Sequence, residues 1–264
     1  MIDIRQLRVT FHPGTPLENP ALRGIDLAIP AGQFLTVIGG NGAGKSTLLN
    51  ALAGEAPVGD GSIAFDGTDV TRWTVARRAS VVARVFQDPL AGTCGELTVE
   101  ENLALAAVRG RRRGLRAACR RELRTAFREN LARLGLGLED RLTDRMSLLS
   151  GGQRQAVSLL MATLRPAKIL LLDEHTAALD PRMAALVLDL TRTLVAERRI
   201  TALMVTHGLR QALDIGDRTI MLHQGRVAFD IAGPERAGLD VPDLLRLFEK
   251  SSGEAATDDE LLLG

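Results

Sequence analysis

Three observations predict an α/β fold built on a mostly parallel sheet. Three short apolar runs, QFLTVI at 33–38, KILLL at 168–172 and TALMV at 201–205, alternate with stretches of helical character. Apolar strands that alternate with helices are buried on both faces, which is the mark of a parallel sheet. The first run leads directly into GGNGAGKS at 39–46, which satisfies G-x-x-x-x-G-K-[ST] in the strand–loop–helix context that a P-loop requires. Apolar residues make up 45% of the 264 and charged residues 25%, an ordinary globular balance.

The elements follow in order. Residues 1–30 alternate as strands, IDIRQLRVTF and ALRGIDLAIP, joined by the Pro/Gly loop HPGTPLENP, and predict an N-terminal antiparallel β subdomain. After the phosphate loop, LLNALAG reads as a helix stopped by Gly54, and a small strand at 62–65 ends at the turn Asp66-Gly67. Residues 92–165 change character and read as an inserted helical subdomain, with two helices expected between Val99 and Leu134. The Arg run Arg109, Arg111, Arg112, Arg113, Arg116, Arg120, Arg121, Arg124 and Arg128 falls there and reads as a solvated helix face. The KILLL strand ends in Asp173-Glu174, a helix is expected over 181–198, and TALMV ends in Thr206-His207. TIMLHQGRVAFD is a hairpin around Gln224-Gly225, a helix follows at 241–250, and the polar tail from Ser251 is expected to be flexible. All 264 residues are expected to form one domain.

Composition removes several functions. Lys+Arg number 33 against 32 Asp+Glu, a net charge of +1, which argues against a nucleic-acid binder working by broad electrostatics. Lys occurs only at 45, 168 and 250, so the lysine in the phosphate loop stands out against an Arg-rich background. No run of 18 apolar residues exists, and MIDIRQLRVT lacks the apolar segment of a signal peptide. Cys94 and Cys119 lie apart from any CxxC or His neighbour, so neither a zinc site nor a disulfide scaffold is expected, and the chain reads as cytosolic and reduced.

The chemistry requires the residue types found. Gly42 and Gly44 let the backbone turn its N–H groups inward around a polyphosphate. Lys45 places a cation on the β and γ phosphates, Ser46 Oγ is a Mg²⁺ ligand, and the following helix aims its positive end at the same anion. Asp173, at the end of a buried strand, is expected to hold Mg²⁺, and Glu174 to polarise the attacking water. Residues 149–153, LSGGQ, open another helix, so Ser150 Oγ and Gly152 N–H form a second anion site, suited to completing the site of a second copy.

Taken together, GGNGAGKST, LSGGQRQ, ILLLDEHTAALD and VTH stand in the order and spacing of the nucleotide-binding subunits of ATP-binding-cassette (ABC) transporters, and the chain resembles that family over residues 1 to about 235. The resemblance implies ATP held by Gly39, Asn41, Gly42, Ala43, Gly44, Lys45, Ser46 and Thr47 of one copy and by Ser150, Gly151, Gly152 and Gln153 of another. It implies that Gln87, in VFQDP, contacts Mg²⁺ and reports to a membrane partner, that Asp180 links the two copies, and that His207 contacts the γ-phosphate. Phe11 is implied as the adenine-stacking residue, with His12 as the fallback. His175 stands where many relatives have Pro or Ala; it neighbours the base, which it could tune, and a passive role is expected.

The cofactors implied are ATP and Mg²⁺. The partners implied are a second copy in a head-to-tail ATP sandwich, an integral membrane permease docked near Gln87 and residues 88–102, and, through the permease, a substrate-binding protein. The chain would then work at the cytoplasmic face of the membrane, energising uptake of amino acids or similar small solutes. The competing reading is a soluble ABC ATPase serving a cytosolic assembly such as iron–sulfur biogenesis.

Overall fold

The structure is a computed structural model that describes residues 1–110 and 121–252. It divides into two compact units, one of Met1–Arg78 with the chain from Arg199 onward, the other of Ala79–Arg198. In chain order the first unit begins with β1 (Ile2–Phe11), β2 (Asn19–Ile29), β3 (Phe34–Ile38), α1 (Lys45–Ala53), β4 (Asp60–Phe65), β5 (Thr68–Asp69) and α2 (Val75–Arg78). The second unit holds β6 (Val82–Val85), α3 (Val99–Ala107), α4 (Arg121–Ala132), a 3₁₀ turn (Met146–Leu148), α5 (Gly151–Thr163), β7 (Ile169–Asp173) and α6 (Pro181–Arg198). The first unit then resumes with β8 (Ala202–Val205), α7 (Leu209–Ile215), β9 (Arg218–His223), β10 (Arg226–Ala232), α8 (Gly233–Arg236) and α9 (Val241–Ser252).

The first unit contains the expected antiparallel sheet, in the order β2-β1-β4-β5. Its alternation is faithful to the sequence: Ile2, Ile4, Leu7 and Val9 of β1 are buried, and β2 contributes Leu22, Ile25, Leu27 and Ile29. The turn Asp66-Gly67 has φ of 48° and 77°, and Gln224-Gly225 has 45° and 76°, the paired left-handed geometry that closes tight hairpins. The same unit holds β3 between β8, to which it is parallel, and β9, also parallel, with β10 closing the edge antiparallel to β9. All five residues of β3 and all four of β8 are buried, as their unbroken apolar runs require. Helix α9 buries Leu244 and Phe248 in a cluster with Ile38, Leu209, Ala212, Met221 and Ile231.

In the second unit β6 and β7 pair in parallel. Its helices close on their own apolar cluster, in which Leu103 of α3, Phe127 and Leu131 of α4, Met146 of the 3₁₀ turn and Leu160 of α5 are all buried. The helical segment expected over 92–165 lies inside this unit, which also takes in β6, β7 and α6. The Arg run divides. Arg109 turns inward, donating to the carbonyls of Ala162 (3.0 Å), in the last turn of α5, and Arg165 (2.9 Å), just beyond it, and burial pushes its pKa down. Arg124 pairs with Glu100 at 2.6 Å, and Arg128 donates to the Glu139 carbonyl. Arg111, Arg112, Arg113, Arg116, Arg120 and the tail beyond Ser252 lie outside the described residues.

Candidate functional site

Each unit carries its own group of the expected site residues. In the first, the phosphate loop connects β3 to α1. Gly42 and Gly44 take φ of 72° and 104°, values that only glycine adopts freely, and Gly44 is the N-cap of α1. The lack of a side chain matters as much as the angle. A Cβ on Gly44 would stand 2.8 Å from the Ala21 carbonyl and 2.9 Å from Leu22 Cδ2, and one on Gly39 (φ 144°) would run into the Leu222 carbonyl. The loop is therefore pressed against neighbouring backbone at Gly39 and Gly44. Lys45 is only 6% exposed, and its Nζ donates to the carbonyls of Gly39 (2.5 Å) and Gly40 (2.9 Å), which holds the ammonium across the loop. Asn41, Gly42 and Ser46 are exposed, Thr47 is half-buried, and Ala43 is buried with its carbonyl accepting from Gly225 N.

His207 belongs to the same unit. Val37 pairs with Val205 in the parallel register, and Thr206 N donates to the Val37 carbonyl at 3.2 Å. The segment that follows β8 therefore emerges at the same sheet end as the phosphate loop, the end where open α/β sheets bind ligands. Phe11 is the last residue of β1, half-buried and paired with Asn19, and His12 follows it exposed at φ 51°.

The second unit brings together the acidic pair and Gln87. Val85 pairs with Leu172 in parallel, so Phe86-Gln87 and Asp173-Glu174 leave their strands at the same end. Gln87 is exposed. Asp173 closes β7, and its Oδ2 accepts from Arg84 at 2.7 Å, with the two side chains only 16% and 12% exposed. The Arg84 guanidinium also lies 4.7 Å from the Phe86 ring centroid. Glu174 adopts φ 43°, a left-handed conformation that costs energy in a non-glycine residue and clusters at functional sites. Within this unit Asp173 offers hard carboxylate oxygens, the donor type that suits Mg²⁺.

The signature segment opens α5. Ser150 is exposed and forms a capping box with Gln153: Ser150 Oγ accepts from Gln153 N (3.3 Å), and Gln153 Oε1 accepts from Ser150 N (3.2 Å). Gly152 is buried against Met183 of α6, whose side chain would meet a Cβ at 2.5 Å, while Gly151 is exposed. Asp180 caps α6, accepting from Met183 N at 3.1 Å just ahead of Pro181 at the first helical position. His175 is fully buried and its Nε2 pairs with Thr191 Oγ1 at 3.0 Å; burial pushes its pKa from 6.5 down to about 4, so it is a neutral core histidine.

Two side chains that touch this machinery escaped the motifs. Arg84 grips Asp173, and Gln155 joins the carbonyls of Phe86 and His175. Their signal was present: an Arg inside VVARVF and a Gln inside the apolar face of QAVSLLMATL.

Residues 22–177 match the ABC transporter family. The chain is 43% identical over 249 residues to a tyrosine transport ATP-binding protein of Clostridioides difficile (strain R20291), covering 94% of this chain and 99% of that one. It is 37% identical over 245 residues to the thiamine import ATP-binding protein ThiQ of Brucella abortus biovar 1 (strain 9-941), covering 92% and 94% of the two chains. Among solved structures, a dimeric post-hydrolysis state of an ATP-binding cassette bound to ADP and Pi superimposes with a TM-score of 0.75 at 28% identity, covering 88% of this chain and 98% of that one. With the phosphate loop, the acidic strand end and the LSGGQ helix all formed, the chain belongs to the ABC transporter family as one of its ATP-binding ATPase subunits.

Proposed function

We propose that this chain hydrolyses ATP to energise uptake of an amino acid through a separate membrane permease. The observation that carries this reading is the 43% identity, over nearly the full length of both chains, to a tyrosine transport ATP-binding protein. The thiamine import relative supports the import direction and favours a permease-coupled role over a cytosolic assembly such as iron–sulfur biogenesis. Among the described residues no helix is long and apolar enough to cross a membrane, so the membrane path belongs to another chain. This chain would be held at the cytoplasmic face by that permease, near Gln87 and residues 88–102, and would meet a substrate-binding protein only through it. All 264 residues would work as one ABC ATPase domain.

The proposed chemistry divides among the residues already described. The phosphate loop, from Gly39 to Thr47, binds the polyphosphate with its backbone N–H groups, and the Lys45 ammonium exchanges loop carbonyls for β and γ oxygens. Phe11 stacks the adenine, with His12 as the substitute. Ser46, Gln87 and Asp173 would hold Mg²⁺, which when bound neutralises charge on the β and γ oxygens. Glu174 accepts the proton of the attacking water as its oxygen bonds to the γ-phosphorus and the bond to the β–γ bridging oxygen breaks. His207 contacts the γ-phosphate.

A second copy, head to tail, contributes Ser150, Gly151, Gly152 and Gln153, and Asp180 joins the copies. The dimeric cassette among the structural relatives supports that arrangement. Loss of the γ-phosphate removes contacts from both copies, and the dimer opens: a two-state element biased by its ligand. The test is Glu174→Gln. ATP binding and ATP-dependent dimerisation should persist while turnover and amino-acid uptake by cells carrying only this variant are lost. Wild-type turnover or uptake in that variant would refute the reading.

A further inference from the structure

Gln155 sits in α5 five residues after Ser150 and is fully buried, next to Ala156, Val157, Leu159 and Leu160, which are buried as well. Glutamine is rarely enclosed in this way without a task. Its Nε2 donates to the Phe86 carbonyl at 2.9 Å and to the His175 carbonyl at 2.7 Å. Both partners can only accept, which fixes the amide orientation and leaves Oε1 facing the interior. That oxygen is buried and has no hydrogen-bond partner among the described residues. The amide therefore satisfies two backbone carbonyls while its own oxygen is left as an unpaired buried acceptor.

The two carbonyls define what the amide does. Phe86 is bonded to Gln87, so a grip on its carbonyl sets the peptide plane that launches Gln87 from the end of β6. His175 follows Glu174, whose own backbone is left-handed at φ 43°. His175 is then held twice, through its carbonyl by Gln155 and through its ring by Thr191, which in turn donates to the Val187 carbonyl at 2.7 Å. The strained residue that carries the base is thereby followed by one with little freedom to move. The clamp also rides on the helix that Ser150 caps, one turn in from the signature end.

We infer that Gln155 is a positioning residue for ATP hydrolysis. Its single amide holds the segments bearing Gln87 and Glu174 in register and ties both to the helix that the signature opens. The inference rests on the roles given to Glu174 and Gln87 under Proposed function.

The test uses the full chain with Gln155→Met, close in size and without donors, and Gln155→Asn, which keeps an amide but is one methylene short of spanning both carbonyls. Equilibrium binding of a fluorescent ATP analogue, kcat and KM for ATP, and thermal unfolding are measured for each. Gln155→Met should lower kcat by about 10- to 100-fold, the penalty for a displacement near 1 Å in the reacting geometry, with KM and Kd within about threefold of wild type. Gln155→Asn should fall between. Added to Glu174→Gln, whose residual hydrolysis is followed with enzyme in excess over ATP, Gln155→Met should cost a smaller fraction of the rate than it does alone, because part of its effect passes through the base.

Wild-type kcat in Gln155→Met, or an equal fractional loss in both backgrounds, overturns the inference. So does a loss in Gln155→Asn that appears wholly in nucleotide binding or in the folded fraction. If Glu174→Gln is inactive while Gln155→Met turns over normally, only the positioning role falls. Wild-type turnover in Glu174→Gln overturns the base and the clamp together.

Discussion

The burial of His175 has a stability signature that can be worked out in advance. In the unfolded chain this imidazole takes up a proton near 6.5; in the folded chain burial pushes it down to about 4, and its Nε2 is engaged with Thr191. Between those values the unfolded state binds a proton that the folded state refuses. Stability is therefore complete above 6.5 and is lost as pH falls toward 4. Each pKa unit is about 1.4 kcal/mol, so at a pH 1.5 units below the unfolded value the loss is about 2 kcal/mol, and below both values about 3 kcal/mol. For a chain of this size 2 kcal/mol corresponds to about 4–8 °C in Tm. Replacing His175 with Gln removes the titration while keeping a polar group for Thr191, and the other titrating groups cancel in the comparison. Thermal unfolding at about pH 8 and pH 5 should show the wild type losing about 2 kcal/mol more than His175→Gln. Equal losses in the two chains would mean that the folded state accepts the proton, and the neutral core assignment would be wrong.

Gly44→Ala should place its methyl 2.8 Å from the Ala21 carbonyl at a φ of 104°, a strain of about 1–3 kcal/mol that falls on the phosphate loop. ATP affinity by calorimetry should drop about tenfold or more, whereas Gly67→Ala, with a positive φ but open space around it, should leave affinity unchanged. Arg84→Met strands Asp173 without its cation. Removing one partner of a buried pair costs about 3–5 kcal/mol, and the slight exposure of both groups here lowers the expectation to about 2–4 kcal/mol. Urea unfolding of that variant and of Arg84→Met with Asp173→Asn should show most of the loss recovered in the double variant; no recovery would mean the pair contributes nothing of its own.

Much of this molecule is legible in its sequence because the decisive signals are local. A strand buried on both faces is mostly apolar, so FLTVI, ILLLD and ALMV stand out, with Thr36 as the one buried polar exception, and GGNGAGKS between a strand and a helix marks a phosphate loop. Helix α6 runs over the expected residues because Asp180 caps it and Pro181 starts it. β6 escaped notice because it is four residues long and contains Arg84, whose charge masks the apolar pattern. That arginine is acceptable in a strand only because Asp173 stands beside it on β7, a pairing that register determines and neither segment announces. Gln155 ends LSGGQRQ, yet its partners lie 69 and 20 residues away, so the motif alone gives it no task. Ser150 and Asp180 illustrate a different limit, since each is a helix cap in its own right, and capping chemistry cannot be told in a single sequence from a role toward nucleotide or a second copy.

On the proposed reading, ATP hydrolysis by this chain drives a membrane permease. The most direct test is to tag the chain, solubilise host membranes in detergent, and identify what co-purifies. A multi-span protein in fixed stoichiometry, whose presence together with an amino acid raises the ATPase rate in reconstituted vesicles, is the predicted result. Recovery in the soluble fraction with only soluble companions, and an ATPase rate indifferent to any membrane protein, would contradict it.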